Sequence, residues 1–298
     1  MYIGVDIGGT DIKFGVVDEH GKVVENCKFP TPKTVEGVIQ NILTVCKELI
    51  KSYPITAVGV GSPGYVSDGV VKSASNLPFK ETQMVSILEA EIHLPVFLEN
   101  DAKCAGLAEA LVGCGKGVKH MLLITIGTGI GGAIVIDSKL YGGALGQAGE
   151  IGHMILKQDG EECACGSKGC FERYASVSAL VRQTKQAVEE NPESLLAQVC
   201  WKEGDVTGKS VFTAIEQGCP VAEAVYAQYI EYLAAGIDSL YWIFQPELIV
   251  LGGAISREGM RLLKPLRRAL KRGAPVETAV LGGDAGMIGA ALLCRDEK

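Results

Sequence analysis

The sequence predicts an α/β protein built from two unequal copies of one βββαβαβα unit. Three observations carry that expectation. Apolar runs ending in glycine-rich turns occur twice along the chain in the same order. Helical periods separate the later runs of each half. Glycine accounts for 38 of the 298 residues, nearly twice the usual share of about 7%, and it clusters at the ends of those runs with no collagen-like period. At roughly 150 residues per domain the length fits two domains.

Each element follows from local pattern. Residues 2–7 (YIGVDI) read as a strand, Gly8-Gly9-Thr10 as a turn, Ile12–Val17 as a second strand, and Asp18–Gly21 as a turn into a third strand from Lys22. Residues 121–126 (MLLITI) restart the series, with Gly127-Thr128-Gly129 turning, Gly131–Ile136 running back and Asp137-Ser138-Lys139 turning again. Ala57–Gly61 matches Leu248–Gly252, a buried strand running into glycine. Pro95–Leu98 enters Asn100-Asp101 and a helix over Ala102–Leu111. Pro275-Val276 leads through Leu281–Asp284 into a helix ending near Cys294, which is expected to cross back to the first half.

The spacing between matching glycines widens from Gly8/Gly127 to Gly61/Gly252. The second half therefore holds an insertion before its fourth strand, containing a Cys/His-dense stretch and helices over 176–190, 210–217 and 220–244. The first half is longer around Tyr65–Phe79. The expected domains are 1–117 with 284–298, and 118–283, enclosing a deep ligand cleft. Gly113–Gly117 at their junction reads either as a hinge or as a helix C-cap and loop.

A net charge of −7 and a pI near 5.3 argue against nucleic acid or an anionic membrane as the main partner. No apolar run is long enough to span a bilayer, and Met1–Asp6 lacks the basic start of a signal peptide. Ten cysteines without an export signal fit reduced thiols and a cytoplasmic location.

Gly127–Gly132 fits G-x-G-x-x-G, but β-prone Ala133–Ile136 follows it where a dinucleotide fingerprint requires a helix. Either a phosphate-lining hairpin or an ordinary glycine-rich turn remains. Asp6-Ile7-Gly8-Gly9-Thr10 is its counterpart, and Asp6 could hold Mg²⁺ through water. Gly252-Gly253 admits a flat base or a close strand-to-helix contact. Asn100-Asp101, at a strand end opening a helix, serves either as an N-cap or as a carboxylate accepting a hydroxyl proton during phosphoryl transfer. His153, Cys163, Cys165 and Cys170 have the spacing of a closed Cys₃His zinc site, with unligated reduced thiols as the alternative. Glu150 and Glu172 bracket that cluster, either as polyol-binding carboxylates or as solvated surface charges.

These motifs together, Asp6–Thr10, Asn100-Asp101, Gly127–Gly132, Glu150-Ile151-Gly152-His153, Cys163–Glu172 and Leu251–Ala254, resemble the ROK family of bacterial sugar kinases and repressors. The resemblance implies duplicated actin-like ATPase (ribonuclease H-like) domains. It also implies ATP-dependent phosphorylation of the 6-hydroxyl of a glucose-type hexose, with Mg²⁺, structural Zn²⁺ and a homodimer. An N-acetylglucosamine or N-acetylmannosamine kinase, or a non-catalytic sugar sensor, is the alternative. Asp101 would be the general base. Gly61, Asn76, Asn100, Asp101, Glu150, His153 and Glu172 would surround the sugar. Gly8, Gly9, Thr10, Gly127, Thr128 and Gly129 would hold the ATP phosphates, and Gly252 and Gly253 the adenosine. Ser67–Gly69 and Ala144–Gln147 depart from the commonest glucokinase wording, which bears on the choice of sugar.

Overall fold

The computed structural model describes residues 1–74 and 77–295. The first meander is β1 (Tyr2–Ile7), β2 (Asp11–Val17) and β3 (Val23–Pro30), followed by α1 (Val35–Ser52) and β4 (Ala57–Ser62). Three short strands come next, β5 (Tyr65–Ser67), β6 (Val70–Ser73) and β7 (Lys80–Thr82), then α2 (Met84–Ile92), β8 (Val96–Asn100) and α3 (Asp101–Leu111). The second meander is β9 (Met121–Ile126), β10 (Ile130–Ile136) and β11 (Lys139–Leu140). After it come α4 (Glu172–Ala175), α5 (Val177–Glu190), α6 (Leu195–Glu203), α7 (Ser210–Glu216) and α8 (Pro220–Phe244). The chain continues through β12 (Leu248–Gly252), α9 (Met260–Ala269), β13 (Val276–Thr278) and α10 (Ala285–Leu293).

The two five-stranded sheets repeat one order, β3-β2-β1-β4-β8 and β11-β10-β9-β12-β13, so the βββαβαβα reading holds for both halves. The excess around Tyr65–Phe79 is a separate antiparallel sheet, β5-β6-β7. Helices α4 and α6 were not expected. They are short pieces whose faces are set by packing on other helices, and α6 buries only Leu196, Ala197, Val199 and Cys200.

By their internal contacts the residues group into two compact units, Met1–Leu123 with Gly132–Gly149 and Ala279–Lys298, and Ile124–Gly131 with Glu150–Thr278. In the first unit, α1 buries Val38, Ile39, Ile42, Leu43, Val45, Cys46 and Leu49 at helical spacing. Thr34 caps it by accepting the Gly37 N–H at 3.1 Å. These side chains join Ile3, Val5, Ile7, Phe14, Val58 and Val60 in one core.

Helix α10 covers β1, β4 and α3 within this unit, so the final helix does return to the first sheet. The approach is backbone to backbone. A methyl group at Gly59 would run into the Ala290 carbonyl, and one at Gly289 into the Cys104 carbonyl. Glycine is required at both positions. Glu109, fully buried in α3, accepts the N–H groups of Cys114 at 3.1 Å, Val280 at 2.9 Å and Leu281 at 2.8 Å. One carboxylate thus ties the glycine-rich turn after α3 to the segment leading into α10.

In the second unit the long helix α8, opened by Pro220 at its first turn, receives α4, α5, α7 and α9. Its Tyr229 is buried and donates to the Ala175 carbonyl at 2.8 Å. Gly236 faces the ring of Phe171, so α8 supports the residues just after the cysteine cluster.

Candidate active site

The site in the first unit follows from parallel strand register. Strands β1, β4 and β8 run in the same direction, pairing Asp6 with Gly61, Gly61 with Glu99 and Ser62 with Asn100. Asp6, Gly61, Asn100 and Asp101 therefore gather at the carboxyl ends of adjacent strands, where open α/β sheets bind ligands. A methyl at Gly61 would stand 3.3 Å from Cys104 Sγ, so the floor of this row is filled by a buried thiol.

Asn100 does cap α3. Its Oδ1 accepts the N–H groups of Ala102 at 2.9 Å and Lys103 at 3.3 Å, and its Nδ2 donates to the Gly64 carbonyl at 3.1 Å. Asp101 begins the helix, and its Oδ1 accepts the Ala102 N–H at 2.8 Å. The cap fixes the corner from which the Asp101 carboxylate projects, so the capping role leaves room for a chemical one.

Asp6 lies enclosed against Gly286 in the first turn of α10. Burial, and then the neighbouring Asp101 carboxylate, push its pKa up to about 6, with Lys13 opposing the rise. Lys13, paired with Asp6 across β1 and β2, donates to the Gly283 carbonyl and lies 3.6 Å from Asp284 Oδ1. An excess of negative charge among oxygen donors suits a hard divalent cation, so these carboxylates fit Mg²⁺. The Gly8–Thr10 hairpin is closed by Gly8 N–H donating to Asp11 O at 3.0 Å. It is braced from outside by Thr31, whose hydroxyl donates to Gly8 O at 2.6 Å and whose N–H donates to Thr10 O at 2.8 Å.

The second unit repeats the device. Gly127 N–H donates to Gly129 O at 3.0 Å, and Val177 N–H, at the start of α5, donates to Gly127 O at 2.9 Å. Gly253, with φ of +82°, brings its backbone onto that of Ile126, leaving no room for a side chain. The close approach this glycine permits is thus to the chain itself. Beside Val177 and directly after Gly253 opens a cavity of about 640 Å³, lined by Leu180, Lys209, Phe212, Ile255, Arg257 and Glu258 among others. Its size is that of a small-molecule pocket. Thr207, Lys209 and Phe212 were not expected at the site, because they come from α7 and the loop before it, far in sequence from either hairpin.

His153, Cys163, Cys165 and Cys170 offer one nitrogen and three sulfurs, all within 4.8 Å of one another. Cys163 Sγ lies 3.6 Å from His153 Nδ1, and Cys165 Sγ lies 3.6 Å from Cys170 Sγ. Such separations match the edges of a tetrahedron with metal–sulfur bonds near 2.3 Å, so the donor set fits Zn²⁺. Antiparallel bridges Ile155–Cys170 and Glu162–Lys168 shape the knot. With Nδ1 toward the sulfurs, the other ring nitrogen of His153 remains for a further partner. Glu172 joins this knot to the hairpin: Oε1 accepts from Cys163 Sγ at 3.1 Å, and Oε2 accepts the Ile130 N–H at 3.4 Å. Glu150 immediately precedes the turn Ile151–His153. Asn76 lies outside the described residues.

The ROK family model matches residues 2–297. The chain belongs to the ROK family. Its fold is accordingly mixed α/β of the actin-like ATPase type. A Streptomyces coelicolor ROK relative, a glucokinase, is 41% identical over 99% of this chain and 98% of its own length. Among solved ROK structures, a Streptomyces griseus glucokinase in complex with glucose and AMPPNP aligns with a TM-score of 0.83 at 39% identity, covering 98% of each chain. A ROK hexokinase from Thermus thermophilus aligns with a TM-score of 0.85 at 33% identity, over 98% of this chain and 96% of the other.

Proposed function

We propose that this ROK protein is a glucokinase, transferring the γ-phosphoryl group of ATP to the 6-hydroxyl of glucose. The observation that carries the reading is the strand register that sets Asp6, Gly61 and Asn100-Asp101 in one row, in a chain similar over its whole length to a kinase that binds glucose and AMPPNP.

Asp101 acts as the general base, accepting the hydroxyl proton as the oxygen attacks phosphorus. Asn100, rigid through its cap, and Gly61, which leaves space, would bind the sugar, as would Asn76. Glu150, His153 and Glu172 are the other sugar-binding residues of this reading. Carboxylates accepting sugar hydroxyls give directional recognition that a hydrophobic pocket lacks. Gly8, Gly9, Thr10, Gly127, Thr128 and Gly129 present backbone and hydroxyl donors to the ATP phosphates. The cavity beside Gly252-Gly253 takes the nucleoside. Asp6 would hold Mg²⁺ through water, and that ion, when bound, offsets the charge of the phosphates. His153, Cys163, Cys165 and Cys170 would hold Zn²⁺, which fixes the wall bearing His153 and Glu172.

The reading includes a homodimer as the working form, a cytoplasmic site of action, and 1–117 with 284–298 and 118–283 as the functional domains. The test is ADP release with glucose, N-acetylglucosamine, N-acetylmannosamine, mannose and fructose. Glucose should give the highest kcat/KM by at least about tenfold. Higher kcat/KM for an N-acetylhexosamine, or no sugar-dependent turnover, overturns it.

A further inference from the structure

The first turn of α3 carries a residue that helix chemistry disfavours. Cations are stabilised at the carboxyl end of a helix, where the backbone dipole is negative, and lysine is among the side chains least often buried. Lys103 is the third residue of α3 and only 4% exposed. Its Nζ lies 3.3 Å from Glu99 Oε1 and donates a hydrogen bond to the carbonyl oxygen of Gly146. Glu99 Oε1 also accepts the Asn100 N–H at 2.7 Å. A buried ammonium requires such compensation. An apolar residue would fill the position without it, so the local rule is broken for something the ammonium does.

Gly146 belongs to the run Tyr141–Gly149, which has no helix or strand of its own and leads directly into Glu150. Besides the Lys103 bond its fixings are few: Tyr141 N–H donates to Ile134 O at 2.8 Å, Tyr65 OH donates to Leu145 O at 3.2 Å, Ala148 N–H donates to Gly142 O at 2.9 Å, and a long turn bond runs from Gly146 N–H to Gly143 O. Of these bonds only the one from Lys103 is charge-assisted, and its donor side chain is buried, which makes it the strongest of the set. One side chain thus joins the corner bearing Asn100 and Asp101 to the run that leads into Glu150.

We propose that Lys103 is a positioning residue that anchors the 141–149 run to the start of α3 and thereby sets the affinity for sugar. The anchoring half stands on these contacts alone; the sugar half rests on the kinase reading above. Lys103→Met keeps the apolar stem and removes the ammonium. Amide hydrogen exchange over 142–149 should then quicken by roughly tenfold or more, the scale of losing a hydrogen bond to a charged group, with the rest of the first unit unchanged. Glucose affinity by calorimetry should weaken by a similar factor, with AMPPNP affinity held within about twofold. Lys103→Arg should restore part of both. Tyr65→Phe, which removes only a surface hydroxyl, should quicken exchange over the same residues to a lesser degree and serves if the Met variant fails to fold. Unchanged exchange over 142–149, or exchange that rises evenly across the unit, overturns the anchor. Local quickening with unchanged glucose affinity overturns the role in sugar binding. If the wild-type protein binds no glucose, the kinase reading fails, and exchange still decides the anchor.

Discussion

Glu172 Oε1 lies 3.1 Å from Cys163 Sγ, so the carboxylate expected to meet the sugar is hydrogen-bonded to a residue expected to bind metal. The bond exists only while Cys163 keeps its proton. Metal binding requires the thiolate, which has no proton to donate, so in the proposed site a bound metal would leave Glu172 Oε1 available to a sugar hydroxyl.

That linkage gives the first prediction. Purified protein should contain about one zinc per chain by elemental analysis, as a closed Cys₃His set requires. Chelation should raise the KM for glucose by roughly tenfold or more, the scale on which changes at a metal's supporting shell act, while the KM for ATP moves far less. Zinc-free protein with an unaltered KM for glucose contradicts it.

Asp101→Asn should lower kcat by about 10²–10⁴, the range assigned to general-base catalysis. Asparagine retains an Oδ1 to accept the Ala102 N–H, so the helix start survives and basicity alone is lost. Glucose Kd by calorimetry should stay within about threefold. A variant that turns over at the wild-type rate removes Asp101 from its role.

Asp6→Asn should abolish turnover and stabilise the Mg²⁺-free protein. The folded state holds the Asp6 proton with a pKa of about 6 against 3.8 in the unfolded chain. Folding therefore takes up a proton between these values, and the stability tied to that proton is full below about pH 4 and lost as pH rises through 6. Above pH 7 the variant should gain about 1–3 kcal/mol, or roughly 3–10 °C in Tm. The advantage should shrink as pH falls toward 4. An equal Tm difference at pH 5 and pH 8 rules this cause out.

Much of this was legible because it is local. The hairpins at Gly8–Thr10 and Gly127–Gly129 are glycine turns between apolar runs. The cysteine cluster spans few residues, and the repeat gave βββαβαβα and the return of the final helix. What escaped is non-local. Lys103 reads as an ordinary helix residue until Gly146 is beside it, and Glu109 as a surface carboxylate until the Val280 and Leu281 N–H groups arrive. Nothing in the chain between marks those pairs. The β5–β7 sheet showed only as extra length, since three- and four-residue strands are too short for alternation to register. Lys209 and Phe212 reach the cavity beside Gly253 by tertiary packing of α7, which no periodicity reports.

The cover that α10 places over β1 and β4 also sets a schedule for synthesis. The glycines that receive this helix, Gly4 and Gly59, leave the ribosome early, whereas Met287 and Ala290 follow roughly 15–60 s later at about 5–20 residues per second. Throughout that interval the nascent first sheet lacks one of its covering layers, and the segment that forms most of the second unit is translated complete in the meantime. The enzyme's first strand is therefore among the last to reach its mature surroundings, and chaperone demand should concentrate on the half of the chain made first.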